Sequence, residues 1–330
     1  MKGTTDVTAT QALHDALDSS SAPHHLIDLI GLERAWVLNL FERADALREA
    51  RGTAHAPKPL LGKTAAMVFH KPSLRTRVSF TVGMHDLGGD AIDLTSVEVS
   101  EHGRESVKDV AHVLSAMTHL IVARTFSHQL VRTLAAHASV PVINALTDFS
   151  HPCQILSDLY TLRRAGRDLN RMTVTWIGDG NNVLHSWLEA ATIFDFDLNL
   201  AVPDGFEPDG GLFLEAERRA RGTIRRFRDP QEAARGADVI YTDTWVSMGQ
   251  EQDSEWRRAS FAGYQVNDAL MRLASSDAVF MHCLPAHRGE EVTDEVLDGP
   301  QSIVIEEAEN RLHLQKALMV ELVQASNTTL

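Results

Sequence analysis

Cysteine is scarce in this chain, and its scarcity limits the kinds of site that the sequence can build. The 330 residues include two cysteines, Cys153 and Cys283, and no C-x-x-C pair. This count excludes a disulfide framework and a zinc site made of thiolates, and it fits a reducing, cytoplasmic compartment. The sixteen histidines are too scattered along the chain to define a metal site.

Long apolar runs and an excess of basic residues are also missing. No apolar run is long enough to span a bilayer, and the polar N-terminus has no signal-peptide core, so no membrane partner is expected. The chain has 31 basic and 45 acidic residues, a formal net charge of −14. Because duplex binding needs an extended basic face, this balance argues against nucleic acid as a partner. Any site for an anion must therefore be local.

What the chain does have is a regular alternation of strand-like and helix-like segments. Hydrophobic residues make up 44% of it, enough for a sizeable core, and its 330 residues suggest about two domains. The alternation predicts an α/β fold with two doubly wound domains, each with a mostly parallel sheet flanked by helices, linked by long helices. Short apolar runs at 140–143 and 303–305 are predicted as strands, and 307–325 as the last helix.

The turn Ser73–Arg77 is the most informative segment. It joins a predicted strand that ends at Phe69 to a helix, and the N–H groups of a helix N-terminus carry partial positive charge. Two hydroxyls and two guanidiniums added to such a turn make a receptor for a phosphate dianion. The alternative is a solvated first turn capped by Ser73. Arginines oppose the helix dipole at that end, however, so they call for another reason.

Three further groups of polar residues lie at strand ends or helix starts. Arg124 closes a strand and is either a site residue or a surface arginine at the rim of the sheet. His151 and Gln154 share one helical face, so both could donate to one oxygen, although a surface histidine is the alternative. The segment Gly178–Asn182 half-matches a dinucleotide fingerprint, but Val183 takes the third glycine position, which makes the match weak.

Two loops of the second half also follow predicted strands. The loop Asp243–Gly249 begins with a carboxylate and ends with glycine, so it either holds an ammonium group or is an ordinary connection. The loop His282–Pro285 contains Cys283 among apolar residues, which is more typical of packing than of a nucleophile. The sequence contains neither a G-x-S-x-G elbow nor an H-E-x-x-H motif.

Seven motifs in order resemble those of the aspartate/ornithine carbamoyltransferase family, over nearly the whole chain from about Gly31. They are Ser73–Arg77, Ala123–Phe126, His151–Gln154, Gly178–Asn182, Asp243–Gly249, His282–Pro285 and Glu309–Arg311. The resemblance implies transfer of the carbamoyl group of carbamoyl phosphate to an amine, without metal or cofactor. The intact loop Asp243–Gly249 implies that this amine is the δ-amine of L-ornithine, so that the products are L-citrulline and phosphate.

The resemblance also implies a role for each matching residue. Those implied to surround carbamoyl phosphate are Ser73, Leu74 (through its backbone), Arg75, Thr76, Ser100, Arg124, His151, Gln154, Cys283, Leu284 and Arg311. Those implied to bind ornithine are Asn182, Asp243, Ser247 and Met248. The catalytic candidates among them are Arg75, Arg124, His151, Asp243 and Cys283.

The family's architecture implies a division of the chain and an assembly. Residues 1–151 would bind carbamoyl phosphate and residues 152–315 the amino acid, with the C-terminal helix 316–330 packing back on the first domain. The family implies a homotrimer, or a multiple of trimers, with active sites at subunit boundaries. Ser100 and Arg104 would then act in a neighbouring subunit's site, and the expected context is arginine biosynthesis.

Three positions depart from the family's pattern. His70 and Thr81 stand where glutamates are usual, and Ser100 stands where Gln or His is usual. Two alternatives therefore stay open: a carbamoyltransferase for another amine (an acylated ornithine, a diamine or a shorter diamino acid), and a non-catalytic regulatory homologue. The intact loop Asp243–Gly249 weighs against the first, and the retained Arg75 is one of several residues that weigh against the second.

Overall fold

The computed structural model describes residues 22–95, 99 and 104–328. Ser100 lies outside these residues. The elements of the first half are α1 (Arg34–Glu49), β1 (Thr64–Phe69), α2 (Leu74–Asp86), β2 (Asp90–Thr95), α3 (Val107–Met117), β3 (Leu120–Arg124), α4 (His128–His137), β4 (Val142–Leu146) and α5 (Pro152–Arg164). Those of the second half are β5 (Thr173–Ile177), α6 (Asn182–Ala190), β6 (Asp197–Ala201), α7 (Gly210–Arg219), β7 (Ile224–Phe227), α8 (Pro230–Ala234), β8 (Val239–Thr242), a 3₁₀ turn (Glu251–Asp253), α9 (Ser254–Ser260), α10 (Asp268–Met271), β9 (Val279–Met281), α11 (Asp294–Leu297) and α12 (Val304–Thr328).

Two parallel sheets organise these elements, as the alternation of the sequence predicts. The first has the strand order β2-β1-β3-β4, and the second has the order β7-β6-β5-β8-β9. Strands β3 and β4 are buried along their whole length, as expected for apolar strands covered by helices on both faces, whereas the edge strand β2 is largely exposed. The predicted α/β fold is therefore confirmed.

The strand orders create one switch point in each sheet. The chain leaves β1 toward β2 on one side and later places β3 on its other side, with Phe69 level with Arg124. In the second sheet the equivalent gap lies between β5 and β8, with Ile177 level with Thr242. Ligands of open α/β sheets bind at such gaps, beyond the carboxyl ends of the strands.

Two long helices connect the two sheets. Every residue of α5 from Pro152 to Leu162 is buried, which marks it as a central helix rather than an amphipathic surface helix. Helix α12 packs against α1, α2 and α5, and its run from Leu314 to Leu322 belongs to the largest apolar core. Among the described helices, none combines the length and the apolar character that a bilayer crossing requires.

Hydrogen-bonding side chains set several helix starts. Ser73, Ser106 and Ser127 each precede a helix and accept a hydrogen bond from the backbone N–H three residues on. Asn181 accepts from the N–H groups of Val183 and Leu184 at the start of α6. These residues satisfy donors that the helix itself leaves unpaired, so the local sequence fixes where the helices begin.

Two strand predictions are wrong in detail. The run 303–305 is not a strand, because only Ser302 makes an isolated bridge to Phe280 before α12 begins at Val304. Two glutamates in the first turn of α12 favour a helix there. The predicted strand 140–143 lies instead at Val142–Leu146, where it pairs with β3.

Gly180 is a position where the fold requires glycine. A Cβ atom built there would lie 2.3 Å from Phe206 O and from Pro208 N, both backbone atoms. We expect Gly180→Ala to lower the free energy of unfolding by about 1–3 kcal/mol, because two backbone segments must separate. Gly210→Ala is the matched control, because nothing lies within 4 Å of its Cβ position.

Urea denaturation of both variants measures the difference. A Gly180→Ala midpoint equal to that of the control would contradict the close packing of the two segments.

Candidate active site

The two switch points open onto one cavity of about 1240 Å³. Every residue implied by the resemblance to bind carbamoyl phosphate or ornithine lines this cavity, with the exception of Ser100, which lies outside the described residues. The carbamoyl-phosphate candidates come from the first sheet, α5, the end of β9 and α12. The ornithine candidates come from the ends of β5 and β8. The fold therefore brings together residues that lie up to 238 positions apart in the sequence, from Ser73 to Arg311.

The turn at Ser73 forms one wall of the cavity. Helix α2 starts at Leu74, and Ser73 Oγ accepts a hydrogen bond of 3.3 Å from Thr76 N. Thr76 Oγ1 accepts hydrogen bonds from Arg124 Nη1 at 3.3 Å and from Arg311 Nη2 at 2.8 Å. Because both of these bonds use the Thr76 oxygen as acceptor, its own hydrogen is available to a ligand.

Three guanidiniums converge around this turn. Burial and the neighbouring charges of Arg311 and Arg75 lower the pKa of Arg124 to about 9, and burial also lowers the pKa of Arg311. The Nε atoms of Arg75, Arg124 and Arg311 are buried and have no hydrogen-bond partner within the part of the chain that the structure describes. A bound dianion would relieve both the mutual repulsion and the unpaired donors, which makes this a strong local anion site in an acidic chain.

The second arginine of the turn does not join this cluster. Arg77 pairs with Asp93 of β2 and lies 4.8 Å from the ring centroid of Phe69. It does not line the cavity. Lys71 takes its place as a further cation: it is buried, lines the cavity and pairs with Asp148. Lys71 was not among the predicted site residues, although its position two residues before the predicted phosphate-binding turn could have indicated a role as a cation there.

His151 and Gln154 reach the cavity from the start of α5, but they offer different atoms. Burial and the charges of Arg311, Arg124 and other cations hold the pKa of His151 well below its ordinary value, so this imidazole is neutral at pH 7. Gln154 Nε2 donates to Asp158 Oδ1 and to Glu307 Oε1, each at 2.8 Å. Only the Gln154 oxygen is left to contact a ligand, so in this arrangement the residue can accept but not donate there.

Asp243 is the acidic centre of the opposite wall. Its Oδ1 accepts from Cys283 Sγ at 3.2 Å and from Thr244 N at 2.8 Å, and its Oδ2 accepts from Asn181 Nδ2 at 2.7 Å. Burial and the charge of Asp243 raise the pKa of Cys283 well above its ordinary value. The thiol therefore stays protonated at neutral pH, which weighs against a nucleophilic role for Cys283.

Leu284 links the two halves of the cavity. Its carbonyl oxygen accepts a hydrogen bond from Arg75, and its N–H donates to His282 Nδ1 at 2.9 Å. The residue has a φ of 57°, a left-handed backbone conformation that is rare for a residue other than glycine. Backbone strain is therefore located at the residue whose carbonyl bonds to Arg75 of α2.

The remaining ornithine candidates are Asn182 at the start of α6 and Ser247 and Met248 on the loop after Asp243. Asn182 Nδ2 donates to Thr147 O at 2.6 Å, and Ser247 N donates to Gln250 Oε1 at 3.1 Å. Ser247 and Met248 both line the cavity. Arg257 of α9 anchors this loop, because its Nε donates to Trp245 O at 2.6 Å and its guanidinium pairs with Asp179.

The glycine pair after β5 serves the protein's own backbone. The Cβ position of Gly180 is occupied by the segment Phe206–Pro208. In a dinucleotide fingerprint the glycine leaves room for a pyrophosphate, and here that approach is made by the chain itself. The partial G-x-G match therefore carries no support for a nicotinamide cofactor.

Two groups of side chains among the described residues have the spacing of metal ligands, which sequence analysis did not foresee. They are Asp243, His282 and Cys283, and His287, Glu290 and Glu291. In the first group, His282 Nδ1 accepts from Leu284 N and its Nε2 faces Glu291 Oε1 at 3.2 Å, while Asp243 accepts from the Cys283 thiol. In the second, Arg258 pairs with Glu290. The first group is thus held by hydrogen bonds within the protein, and one carboxylate of the second is neutralised by an arginine.

Comparisons with known proteins agree with this geometry. Residues 24–164 match the carbamoyl-P binding domain of aspartate/ornithine carbamoyltransferases, and residues 170–322 match their Asp/Orn binding domain. The chain is 48% identical over 312 residues to an ornithine carbamoyltransferase of Chlorobaculum tepidum, covering 94% of this chain and 92% of the relative. It is 51% identical over 301 residues to the ornithine carbamoyltransferase of Nitrobacter winogradskyi, covering 91% and 97%.

Solved structures give the same result. An ornithine carbamoyltransferase from Pyrococcus furiosus matches with a TM-score of 0.87 and 45% identity, covering 91% of this chain and 97% of that one. An anabolic ornithine carbamoyltransferase from Campylobacter jejuni matches with a TM-score of 0.84 and 35% identity, covering 90% and 98%. Both domain matches and these relatives together show that the chain belongs to the aspartate/ornithine carbamoyltransferase family.

Proposed function

We propose that this protein is an ornithine carbamoyltransferase that transfers the carbamoyl group of carbamoyl phosphate to the δ-amine of L-ornithine, giving L-citrulline and phosphate. The observation that carries the proposal is the pairing of opposite charges in one cavity. A cluster of Arg75, Arg124 and Arg311 faces the carboxylate of Asp243 across it. The first wall fits a phosphate dianion, and the second fits an ammonium group.

The arginine wall supports the chemistry of the leaving group. The phosphate would lie at the N-terminus of α2, within reach of Ser73, Arg75 and the backbone of Leu74 and Thr76. As the carbon–oxygen bond to phosphate breaks, negative charge grows on the leaving group. Fixed guanidiniums and the helix N-terminus stabilise that charge without needing to reorganise.

The carbamoyl group would be polarised by three donors. Arg124, the neutral imidazole of His151 and the free hydrogen of Thr76 all face the same part of the cavity. Attack of the amine puts negative charge on the carbamoyl oxygen, which these donors are placed to meet. Cys283 and Leu284 close the site from the other domain. We therefore propose direct attack without a covalent enzyme intermediate, in agreement with the protonated thiol of Cys283.

The acceptor would bind against the second wall. That side is lined by Asn182, Asp243, Ser247 and Met248. The Asp243 carboxylate is buried there and could form an ion pair with an α-ammonium group. The δ-amine, with an ordinary pKa near 10.4, must lose its proton before it can attack. The same wall supports ornithine rather than another amine as the acceptor.

Two of the three departures from the family's pattern, His70 and Thr81, belong to the described residues, whereas Ser100 does not. Neither His70 nor Thr81 lines the cavity. The backbone N–H of His70 donates to Arg124 O at 2.9 Å, and Thr81 Oγ1 lies 3.9 Å from Met67 Sδ, against β1. These positions therefore give no support to a different acceptor amine.

We propose the division of the chain and its assembly on the same basis. Residues 1–151 would bind carbamoyl phosphate and 152–315 ornithine, with 316–330 returning to the first domain. The packing of α12 on α1 and α2 supports that return.

A homotrimer, or a multiple of trimers, is supported by the exposed apolar side chains of Leu74 (75% exposed) and Val78 (51%) on α2. The two free cysteines support a cytoplasmic location, and the anabolic Campylobacter relative supports a role in arginine biosynthesis.

Arg75 and Arg77 give a matched pair of variants in one turn. We expect Arg75→Ala to lower the rate of citrulline formation about 100- to 1000-fold, because it removes a donor from the developing phosphate charge. Arg77→Ala should keep most of the activity, since its guanidinium pairs with Asp93 outside the cavity. Steady-state citrulline assays on both variants measure this. Equal losses, or a fully active Arg75→Ala, would contradict the phosphate assignment.

An acceptor panel tests the choice of amine. With carbamoyl phosphate present, we expect phosphate release and a ureido product with L-ornithine, and at least tenfold less with N-acetylornithine, putrescine, 2,4-diaminobutyrate or aspartate. The reason is that only L-ornithine presents both an α-ammonium to Asp243 and an amine of the right reach. A preference for another amine would make that amine the substrate, and no release with any amine would favour a non-catalytic homologue.

The native mass tests the assembly. We expect sedimentation at three times the 36.4 kDa chain mass, or a multiple of that value. Val78→Glu should shift the distribution toward monomers, because it places a charge on the apolar face of α2. A wild-type protein that sediments as a monomer would refute the trimer.

A further inference from the structure

A buried acidic pair lies directly behind the cavity, and no step of the proposed reaction uses it. Asp158 of α5 and Glu307 of α12 are both almost completely buried. They come from the two helices that connect the sheets. Carboxylates in such a position are rare without a cation in direct contact, because burial disfavours their charged form.

The hydrogen bonds around the pair define four oxygen positions. Gln154 Nε2 donates to Asp158 Oδ1 and to Glu307 Oε1, each at 2.8 Å, and His282 N donates to Glu307 Oε2 at 3.0 Å. Tyr241 completes the network, because its hydroxyl lies 2.9 Å from Asp158 Oδ2 and 3.3 Å from Glu307 Oε1. The pair thus contacts a residue at the start of α5, the end of β8 and the end of β9.

The Tyr241 hydroxyl has one hydrogen, so it can donate to only one of the two carboxyl oxygens. Both hydrogen bonds can form only if the carboxyl pair carries a proton of its own, which then donates to the Tyr241 oxygen. The amide donors of Gln154 and His282 hold three of the four oxygens as acceptors. Asp158 Oδ2 is the remaining oxygen, and it faces a hydroxyl that can accept as well as donate. A proton on Asp158 Oδ2 would donate to Tyr241 and direct the Tyr241 hydrogen to Glu307 Oε1, whereas a proton on Glu307 Oε1 would direct it to Asp158 Oδ2.

The charges around the pair agree with one retained proton. Burial raises the pKa of Asp158 to about 7, and burial together with the charge of Asp158 raises that of Glu307 well above its ordinary value. The other titratable groups that face the pair are Tyr241, Cys283, Asp243 and Arg311. Arg311 favours ionisation of one carboxyl, whereas Asp243 on the far side of Cys283 does not favour a second negative charge.

We propose that Asp158 and Glu307 are positioning residues that share one proton, and that the singly protonated pair fixes Gln154 and the His282–Cys283 backbone at the active site. The part of this proposal that concerns the reaction rests on the proposed function. The pair sets the amide of Gln154 so that its oxygen is left for the ligand. It also ties the strand end that bears Cys283 and Leu284 to the central helices. A single device thereby aligns groups from both domains.

The roles of the two carboxyls differ, and the difference gives a sharp test. In Asp158→Asn, the amide oxygen can still accept from Gln154 and the amide nitrogen can donate to Tyr241, which reproduces the protonated state. In Glu307→Gln, the nitrogen of the new amide must lie against Gln154 Nε2 or His282 N, whichever way the amide is turned. Both of those groups are donors, so one hydrogen bond is replaced by a donor–donor contact. At pH 7 we therefore expect Glu307→Gln to lower kcat about 100-fold by misplacing the site, and Asp158→Asn to lower it about threefold.

The pH dependence of kcat distinguishes a shared proton from plain packing. An amide cannot lose the proton that Asp158 loses near pH 7, so the ratio of kcat for Asp158→Asn to that of the wild type should change between pH 5 and pH 9. Equal losses in the two variants at pH 7, or a ratio that stays flat with pH, would overturn the proposal. The Asp158→Asn profile decides the matter alone if Glu307→Gln does not fold.

Stability gives a readout that does not depend on turnover. A carboxyl whose pKa is raised by folding stabilises the native state most fully below its ordinary pKa, and this contribution is lost as the pH rises through the folded value. For Asp158 the loss runs from the ordinary pKa of 3.8 up to the folded value of about 7. The Tm of the wild type should therefore fall by several degrees more between pH 5 and pH 8 than that of Asp158→Asn.

Parallel Tm curves would contradict the shared proton. A wild type that makes no citrulline would overturn the proposed function, while the Tm comparison would still decide whether the pair is protonated.

Discussion

The structure depends on the burial of two helices between two parallel sheets. Helix α5 is buried on all sides, and α12 packs along it and returns to α1 and α2. With these helices in place, the switch point of the first sheet faces that of the second. Neither sheet alone presents a complete site, because one supplies cations and the other a carboxylate. Packing in the centre of the molecule is thus what makes the cavity bipolar.

One wall of this cavity is strongly cationic although the chain as a whole is acidic. The net charge is −14, yet the first wall gathers the buried Lys71, Arg124 and Arg311 around the half-buried Arg75. Burial, together with the repulsion from neighbouring cations, lowers the pKa of Arg124 and that of His151, which stays neutral. Such a preorganised cluster is stabilised when a dianion enters it, and the same fixed donors then meet charge that develops during the reaction. Binding and catalysis therefore draw on the same electrostatic arrangement.

Much of the fold was predictable because local patterns and burial agree. Strand β1 ends at Phe69 as predicted, the last helix contains the predicted range 307–325, and the serine caps explain several helix starts. The run 303–305 misled the prediction, because three apolar residues in succession suit a strand or a buried helix start equally well. Pairing with β9 stops at the isolated bridge between Ser302 and Phe280, and the two glutamates that follow favour the start of a helix.

Motifs predicted which residues would line the cavity, but not which of their atoms would be free to contact a ligand. Sequence order could not reveal that Arg77 turns toward Asp93, that Lys71 enters the cavity, or that the nitrogen of Gln154 is already engaged. Each outcome depends on a partner distant in the sequence, such as Glu307, which lies 153 residues from Gln154. Gly180 is similar, since the backbone that requires a glycine there is the segment Phe206–Pro208.

Short-range patterns of hydrophobicity, capping and residue type were enough to predict the alternation of strands and helices, a cationic turn at Ser73–Arg77 and the order of the seven motifs. The strand order, the choice between Arg75 and Arg77, and the shared environment of Asp158 and Glu307 became visible in the folded molecule alone. Those properties arise from long-range packing and desolvation, which depend on groups brought together across the whole chain.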